Sequence, residues 1–349
     1  SGQNDLSGQN DLSGQNEWTA ISESELTVVC SEDNDLYQVM RKNRIKIRRF
    51  ENPETALRSI KENSAMMILA DKYPDETNSI SDAFFNEAQK KGIRLYIEYP
   101  SHIPNIDVGD PRHTHWERAV VSSDVFEPSL SRLRILGIND CHFVPVKSEK
   151  SFIVVAKVAG LDSADYGLPQ ETFPILFEYP DRKILVSTTK LSQFITARYS
   201  PNNDWKHVWN VIIKWLLPDS RPTQLEWNPL VHPSYIRDKV LPDDFEHKAF
   251  IRGVEWFTKS HLLVHESWKG EIEKRQRGYQ DGVAPLPESE PPIGDGSYGI
   301  LEGYSSSIKF DGTQPVRYYL RNDCNGEVSM AMAFGGVFLK NSSYEKIAS

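Results

Sequence analysis

The apolar positions of residues 26–99 alternate between two patterns. Short continuous runs, LTVVC at 26–30, MMILA at 66–70 and RLYIEY at 94–99, have the length and composition of strands buried on both faces. Between them, PETALRSIKEN at 53–63 and SDAFFNEAQKKG at 81–92 repeat their apolar residues at helical spacing. Pro53 stands where a helix start accepts proline, and Gly92 stands just past a helix end, where a left-handed cap is usual. This order predicts parallel strands joined by right-handed crossovers. Further on, AVVSS at 119–123, SFIVVAKVAG at 151–160, FPILFEY at 173–179 and KILVSTT at 183–189 read as strands with few helices between them. The PDR at 180–182 reads as the turn of a hairpin. The first part is therefore expected to be α/β, with flanking helices and a mixed sheet extended by antiparallel strands.

DWKHVWNVIIKWLL at 204–217 predicts an apolar helix covering a sheet face. Pro218, Pro222, Pro229, Pro233 and Pro242 then interrupt regular structure and mark a linker over residues 221–243. Beyond it Phe250, Val254, Phe257, His261, Val264 and Trp268 recur at spacings of three and four, predicting one long helix over 244–276. A Gly/Pro-rich loop at 281–299 precedes a second helix near 326–339, and SSYEKIAS reads as the start of a third. So few helices close no core of their own, so residues 244–349 are expected to be the opening part of an all-α domain completed elsewhere. At the other end SGQNDL, SGQNDL and SGQNEW repeat with almost no apolar content, so residues 1–20 are set aside as a tail and 21–220 taken as the α/β domain.

The 349 residues are 39% hydrophobic and 26% charged, ordinary values for a globular chain, and eight Trp are enough to line sugar-binding clefts as well as cores. A formal net charge of −9 argues against a nucleic-acid partner, which needs clustered Lys and Arg. The basic run Arg41–Arg49 contains Ile45 and Ile47 and reads as a helix end entering an edge strand. No apolar stretch approaches the ~20 residues of a membrane span. Cys30, Cys141 and Cys324 are too few and too scattered for a disulfide framework or a CxxC metal site.

His113 and His115 in PRHTHW share one side of a strand at i, i+2, with Asp110 and Glu117 nearby, but a metal needs a further placed donor; no metal site and no cofactor are expected. His261 and His265 have metal-like i, i+4 spacing without the HEXXH order, and His261 falls on the apolar stripe. The densest polar cluster is 295–327. Glu302, Asp323 and Glu327 are its candidate catalytic residues, because glycoside hydrolysis commonly uses two carboxyl groups about 5–10 Å apart. Asp295, Tyr298, Asp311, Arg317, Arg321 and His261 are the candidate substrate-binding residues. A structural alternative exists for the same group: Asp323 as helix N-cap, Glu327 in the first turn, and Arg317 and Arg321 pairing with both.

GIRLYIEYPS at 92–101 and ILVSTTKLSQFITARYSPNNDWKHVWNVIIKWLL at 184–217 resemble the class I glutamine amidotransferase-like domains attached to bacterial carbohydrate enzymes. The resemblance covers residues 25–217 and implies a flavodoxin-like sheet. FIRGVEWFTKSHLL at 250–263, with YGILEGYSSSIKFDGTQPVRYYLRNDCNGEVSMAMA at 298–333, resembles the beginning of a six-hairpin (α/α) glycosidase-like domain of the kind common in gut Bacteroidetes. Together they imply a secreted or periplasmic protein with a carbohydrate ligand and leave the oligomeric state open. An active amidotransferase places Cys at a strand-to-helix elbow. The comparable elbow here, Glu98-Tyr99-Pro100-Ser101, has none, Ser101 and His102 fail as a dyad, and Cys141 and His142, adjacent on a strand, point apart. Three readings follow: a glycoside hydrolase acting through Glu302 and Asp323 with the α/β domain as scaffold, a non-catalytic carbohydrate-binding or assembly module, and, disfavoured by the missing elbow cysteine, an α/β-domain hydrolase or amidotransferase.

Overall fold

The computed structural model describes residues 25–148, 150–196, 198–220, 224–235, 239–277 and 282–349. The repeat tail at 1–20, the linker positions 221–223 and 236–238, and the first residue of the 281–299 loop lie outside the described residues.

Strands β1 (Leu26–Val29), β2 (Ile47–Phe50), β3 (Ala65–Ile68) and β4 (Arg94–Glu98) alternate with helices α1 (Asp35–Lys42), α2 (Pro53–Ser59) and α3 (Asp82–Lys90). Each helix start is capped by its own sequence: Asn34 accepts from the N–H of Leu36 and Tyr37, Asn52 from Thr55, and Ser81 from Phe84. Gly92 takes φ +69 where a Cβ would meet the Asn63 side chain at 2.4 Å, so this turn requires glycine. β5 (Arg112–His113), β6 (Arg118–Val121), β7 (Ile135–Ile138), β8 (His142–Phe143), β9 (Ser151–Ala156), β10 (Phe173–Tyr179), β11 (Ile184–Ser187) and β12 (Tyr199–Ser200) follow, and α4 (Asn202–Leu216) ends the α/β part.

Ten strands form one sheet in the order β12-β7-β6-β9-β10-β11-β4-β3-β1-β2. The β2-β1-β3-β4-β11 section is parallel and the rest antiparallel, joined through the β10–β11 hairpin. The mixed α/β sheet expected from the pattern is therefore present, with β2 at its edge. Its parallel strands are covered on both faces. Leu26, Val28, Met67 and Tyr96 face the core that α1 and α4 close, whereas Val29, Met66, Ile68, Leu95 and Ile97 face the one beneath α2 and α3. Leu225 and Trp227 belong to the first core, with Trp227 against Phe194 at 4.4 Å, so the start of the Pro-rich linker is packed onto the α/β part.

Residues beyond the linker differ from the all-helical expectation. Helices α5 (Phe245–Lys259) and α6 (Lys269–Gln276) precede strands β13 (Val283–Ala284), β14 (Leu301–Tyr304) and β15 (Val316–Leu320), and helices α7 (Asn322–Leu339) and α8 (Ser342–Ala348) follow. The strands form an antiparallel sheet, β13-β15-β14, over a core containing Leu262, Val264, Trp268, Ile300 and Tyr318. In β15, Val316 and Tyr318 are buried while Arg317 and Tyr319 are exposed, a period of two rather than of 3.6. The single helix expected over 244–276 is broken. Leu262, Leu263 and Val264 are buried in succession, which an amphipathic helix does not allow, and this stretch bonds to 294–301 in extended form after His261 turns left-handed at φ 59.

Trp209 of α4 is fully buried between Tyr96 and Phe194, and its indole Nε1 has no hydrogen-bond partner among the described residues. Trp209→Ala is expected to cost about 3–5 kcal/mol in a chemical-denaturation measurement. Trp209→Phe should cost clearly less, because it removes no bonded group.

Candidate metal centre

β5 and β8 pair antiparallel, with His113 directly opposite His142. The same two strand ends are fastened by the Thr114 N–H donating to the Cys141 carbonyl at 2.9 Å. Before β8 the chain turns through Asp140 in the left-handed region, at φ 49, and this swings the Asp140 carboxylate toward both imidazoles. Asp140 Oδ1 lies 2.5 Å from His113 Nε2 and 3.8 Å from His142 Nε2, and the donor atoms of all three residues fall within 4.8 Å of one another. The two imidazole rings are 4.5 Å apart.

This is the donor set a divalent transition ion takes. With metal–ligand bonds of about 2.0–2.2 Å, tetrahedral ligands sit roughly 3.3–3.5 Å apart, so the 2.5 and 3.8 Å separations need only small side-chain shifts. Three protein ligands leave a coordination position open. Burial, reinforced by His113 and Arg198 and opposed by Asp140, pushes the His142 pKa down and so favours the neutral ring that can ligate. Burial of the Asp140 carboxyl works toward a higher pKa, yet the Phe310 N–H and His113 hold it below the usual value as an anion. The Phe310 N–H, on the loop between β14 and β15, donates to Asp140 Oδ2 at 2.8 Å. That loop covers the edge of the site: the Phe310 ring packs on Tyr73 at 6.2 Å, and Gly312, at φ +83, comes so close to Thr196 that a Cβ would stand 2.5 Å away.

Beneath the turn lies the fully buried Arg198. Its Nε donates to the Asn139 carbonyl at 2.6 Å, Nη1 to the Tyr199 hydroxyl at 2.8 Å and the Lys190 carbonyl at 3.5 Å, and Nη2 to the Tyr73 hydroxyl at 2.8 Å and the Asp140 carbonyl at 3.2 Å. Burial disfavours this charge, but the phenol oxygens of Tyr199 and Tyr73 keep the guanidinium protonated. Tyr73 in turn accepts the His142 N–H at 2.6 Å. The backbone of 139–142 is thus fixed from below before any ion is considered.

Of the three donors only His113 stands out in the sequence as a metal candidate, beside His115, which is not one of them; Asp140 and His142 come from the turn and strand that begin 27 residues further on. Glu117, a possible ligand by position, instead accepts the N–H of His115 and Trp116 and pairs with Lys157 at 3.7 Å. Asp110 is exposed outside the group. His261 and His265 do not share a helix face: His261 Nδ1 lies 3.0 Å from the Pro291 carbonyl, and His265 caps the short turn at 266–268.

The turn after β4 leads into no helix, the next element being β5. Tyr99 holds φ 49 at its apex, with its ring buried 5.0 Å from Tyr73 and its hydroxyl donating to the Pro74 carbonyl at 3.3 Å. Glu98 beside it is fully buried and accepts from the N–H of Ala70 and Leu191, the Ser192 hydroxyl and the Tyr96 hydroxyl. Ser101 bonds to Asn78 and His102 to Asp82, so these two do not pair. Burial pushes the thiols of Cys30 and Cys141 up to about 12 and about 11, the opposite of an activated nucleophile.

Of the cluster at 295–327, the structure joins Glu302, Arg317, Arg321 and Asp323. Arg317 Nε donates to Glu302 Oε2 at 3.2 Å, Arg321 Nη1 to Glu302 Oε1 at 3.2 Å, and Arg321 Nη2 to Asp323 Oδ2 at 2.6 Å. Arg321, not Asp323, is the α7 N-cap, and Asp323 sits in the first turn. The Arg321 hydrogen bond holds the Asp323 carboxyl below its usual range, which suits a clasp between β14, β15 and α7 better than a proton donor. Glu327 lies one turn further along, exposed. Asp295 and Asp311 shape turns by accepting from Ser297 and Thr313, and Tyr298 is 37% exposed. A cavity of about 490 Å³ lies at the opposite, amino-terminal edge of the parallel strands, among Lys46, Arg48, Arg94 and Glu62, away from all of these groups.

No protein-family model matches this chain, and no curated protein matches it. Among solved structures, the chain is similar to one described as the structure of PurLQS from Thermotoga maritima, at 10% identity and a TM-score of 0.34, over 55% of this chain and 99% of that one.

Arg198→Met leaves buried oxygens of Tyr73, Asn139 and Asp140 without their donor. A loss of about 3 kcal/mol or more in unfolding free energy is expected by urea titration.

Proposed function

We propose that the protein binds a divalent transition ion at His113, Asp140 and His142, and that the ion's open position holds an oxygen-rich ligand at the edge of the α/β sheet. The observation that carries this reading is the convergence of two imidazoles and a carboxylate within 4.8 Å, on strands pinned from beneath by Arg198. Zinc suits the set as a Lewis acid that polarises a bound oxygen or water; an Fe(II) ion suits the same two-histidine, one-carboxylate arrangement. A saccharide is the proposed ligand class. Trp116, 81% exposed and three residues from His113, offers a bare indole of the kind sugars stack on.

In this reading the α/β half is an amidotransferase-like scaffold. Its parallel section runs β2-β1-β3-β4-β11, the strand order of flavodoxin-like sheets, and Tyr99 occupies the turn after β4, where a nucleophile would stand. The chemistry then belongs to the metal at the sheet margin rather than to that turn.

Titration of the metal-free protein with Zn(II) or Co(II) in a calorimeter is expected to give one site per chain. His142→Ala should weaken it by about 100-fold or more, and His261→Ala should leave it unchanged. An unaltered isotherm in His142→Ala, or glycan hydrolysis without metal that disappears in Glu302→Gln, would overturn this assignment.

A further inference from the structure

Helix α7 has one covered face and one bare one. Met332, Gly335 and Gly336 are buried against α5 and α8, where a Cβ on Gly335 would meet Val254 at 2.6 Å and one on Gly336 would meet Glu345 at 2.3 Å. On the other face Met330 is 58% exposed, Phe334 51%, Val337 67% and Phe338 68%. With Ala333, also exposed, they recur at i, i+3, i+4, i+7 and i+8, the spacing of a helix-packing stripe. Phe334 and Phe338 stack at 6.1 Å, and Phe250 of α5 extends the surface beside Phe338. From Val328 to Leu339 no residue is charged. Contiguous exposed apolar surface of this kind marks an interaction site.

The charges at the two ends of the stripe indicate what covers it. Glu327 lies near the amino end of α7, past the Arg321–Asp323 pair, and Lys340 follows its carboxyl end. We propose that a second copy of this chain docks here, α7 against α7, antiparallel about a two-fold axis passing between Ala333 and Phe334. That axis sets Met330 against Val337 of the partner subunit and Ala333 against Phe334 of the partner subunit. It also brings Glu327 beside Lys340 of the partner subunit. The apolar stripe and its flanking charges are both self-complementary under this one operation, as an isologous interface demands. Antiparallel packing also opposes the two helix dipoles favourably. The uncharged centre lets two chains of net charge −9 approach without like charges meeting. A membrane surface fits less well, since the stripe lacks the Lys/Arg-rich polar face of interfacial helices and no described helix is long and apolar enough to span.

Sedimentation equilibrium across micromolar concentrations is expected to give a mass twice the 39.9 kDa of one chain. Phe334→Glu should move the monomer–dimer midpoint up by about 100-fold or more. Lys340→Glu, an exposed change that leaves folding intact, should move it by about 3- to 10-fold, and Glu327→Lys in the same chain should restore it. A wild-type monomer at all concentrations, a dimer indifferent to both Phe334→Glu and Lys340→Glu, or flotation of the monomer with phosphatidylcholine vesicles overturns the proposal.

Discussion

The buried guanidinium of Arg198 organises the edge of the α/β sheet where His113, Asp140 and His142 meet. Arg198 has five N–H donors, and each reaches an oxygen: three backbone carbonyls, at 139, 140 and 190, and the hydroxyls of Tyr73 and Tyr199. Removing such a group from water costs several kcal/mol, offset here by charge-assisted bonds and by the faces of Tyr73 and Tyr199, 5.2 and 5.0 Å from its central carbon. The segments it ties come from four places along the chain. They are the loop after β3, the turn before β8, the stretch after β11, and β12. The position of Asp140, and through it of His142, follows from that knot.

This explains which parts of the protein were legible in the sequence. β1, β3 and β4 are buried on both faces, so their apolar runs speak for themselves, and Pro53 and Gly92 mark a helix start and a helix end. The pairing of β5 with β8 has no such signature. Each is two residues long, and what joins His113 to His142 is a register set by the Asp140 turn and by a guanidinium bonded to carbonyls, which side-chain spacing does not report. The residues that follow β4, in contrast, could be placed directly, because Tyr99 stands at the end of a well-marked strand. In the second half, polar density drew attention to 295–327 and obscured the period-two alternation of Val316–Leu320. The strands there are short, and β14 carries a Gly at φ 152, which weakens any strand signal.

The two polar groups also differ in how their charges are answered. Glu302 and Asp323 each accept from a guanidinium, so their charge is spent on holding β14, β15 and α7 together. At Asp140 the nearby cation does not reach the carboxylate at all, because Arg198 is committed to carbonyl and hydroxyl oxygens. The Asp140 anion is left to face two imidazoles on Oδ1 and one backbone N–H on Oδ2. An imidazole that donates its N–H to a carboxylate can give up that proton and ligate a metal through the same nitrogen, which a guanidinium cannot do.

That division of the carboxylate joins the two halves of the chain at one residue. Oδ1 belongs to the β5–β8 pair, and Oδ2 to the loop that β14 and β15 project across the sheet edge. The Phe310 ring beside Tyr73 and the close approach of Gly312 to Thr196 fix that loop independently of the hydrogen bond. Asp140 is therefore oriented from three sides: by its own left-handed backbone, by Arg198 beneath its carbonyl and by Phe310 across its far oxygen. Held so, it has little rotamer freedom left to lose on taking a ligand, which is the condition under which two histidines and one carboxylate become a site rather than a surface cluster.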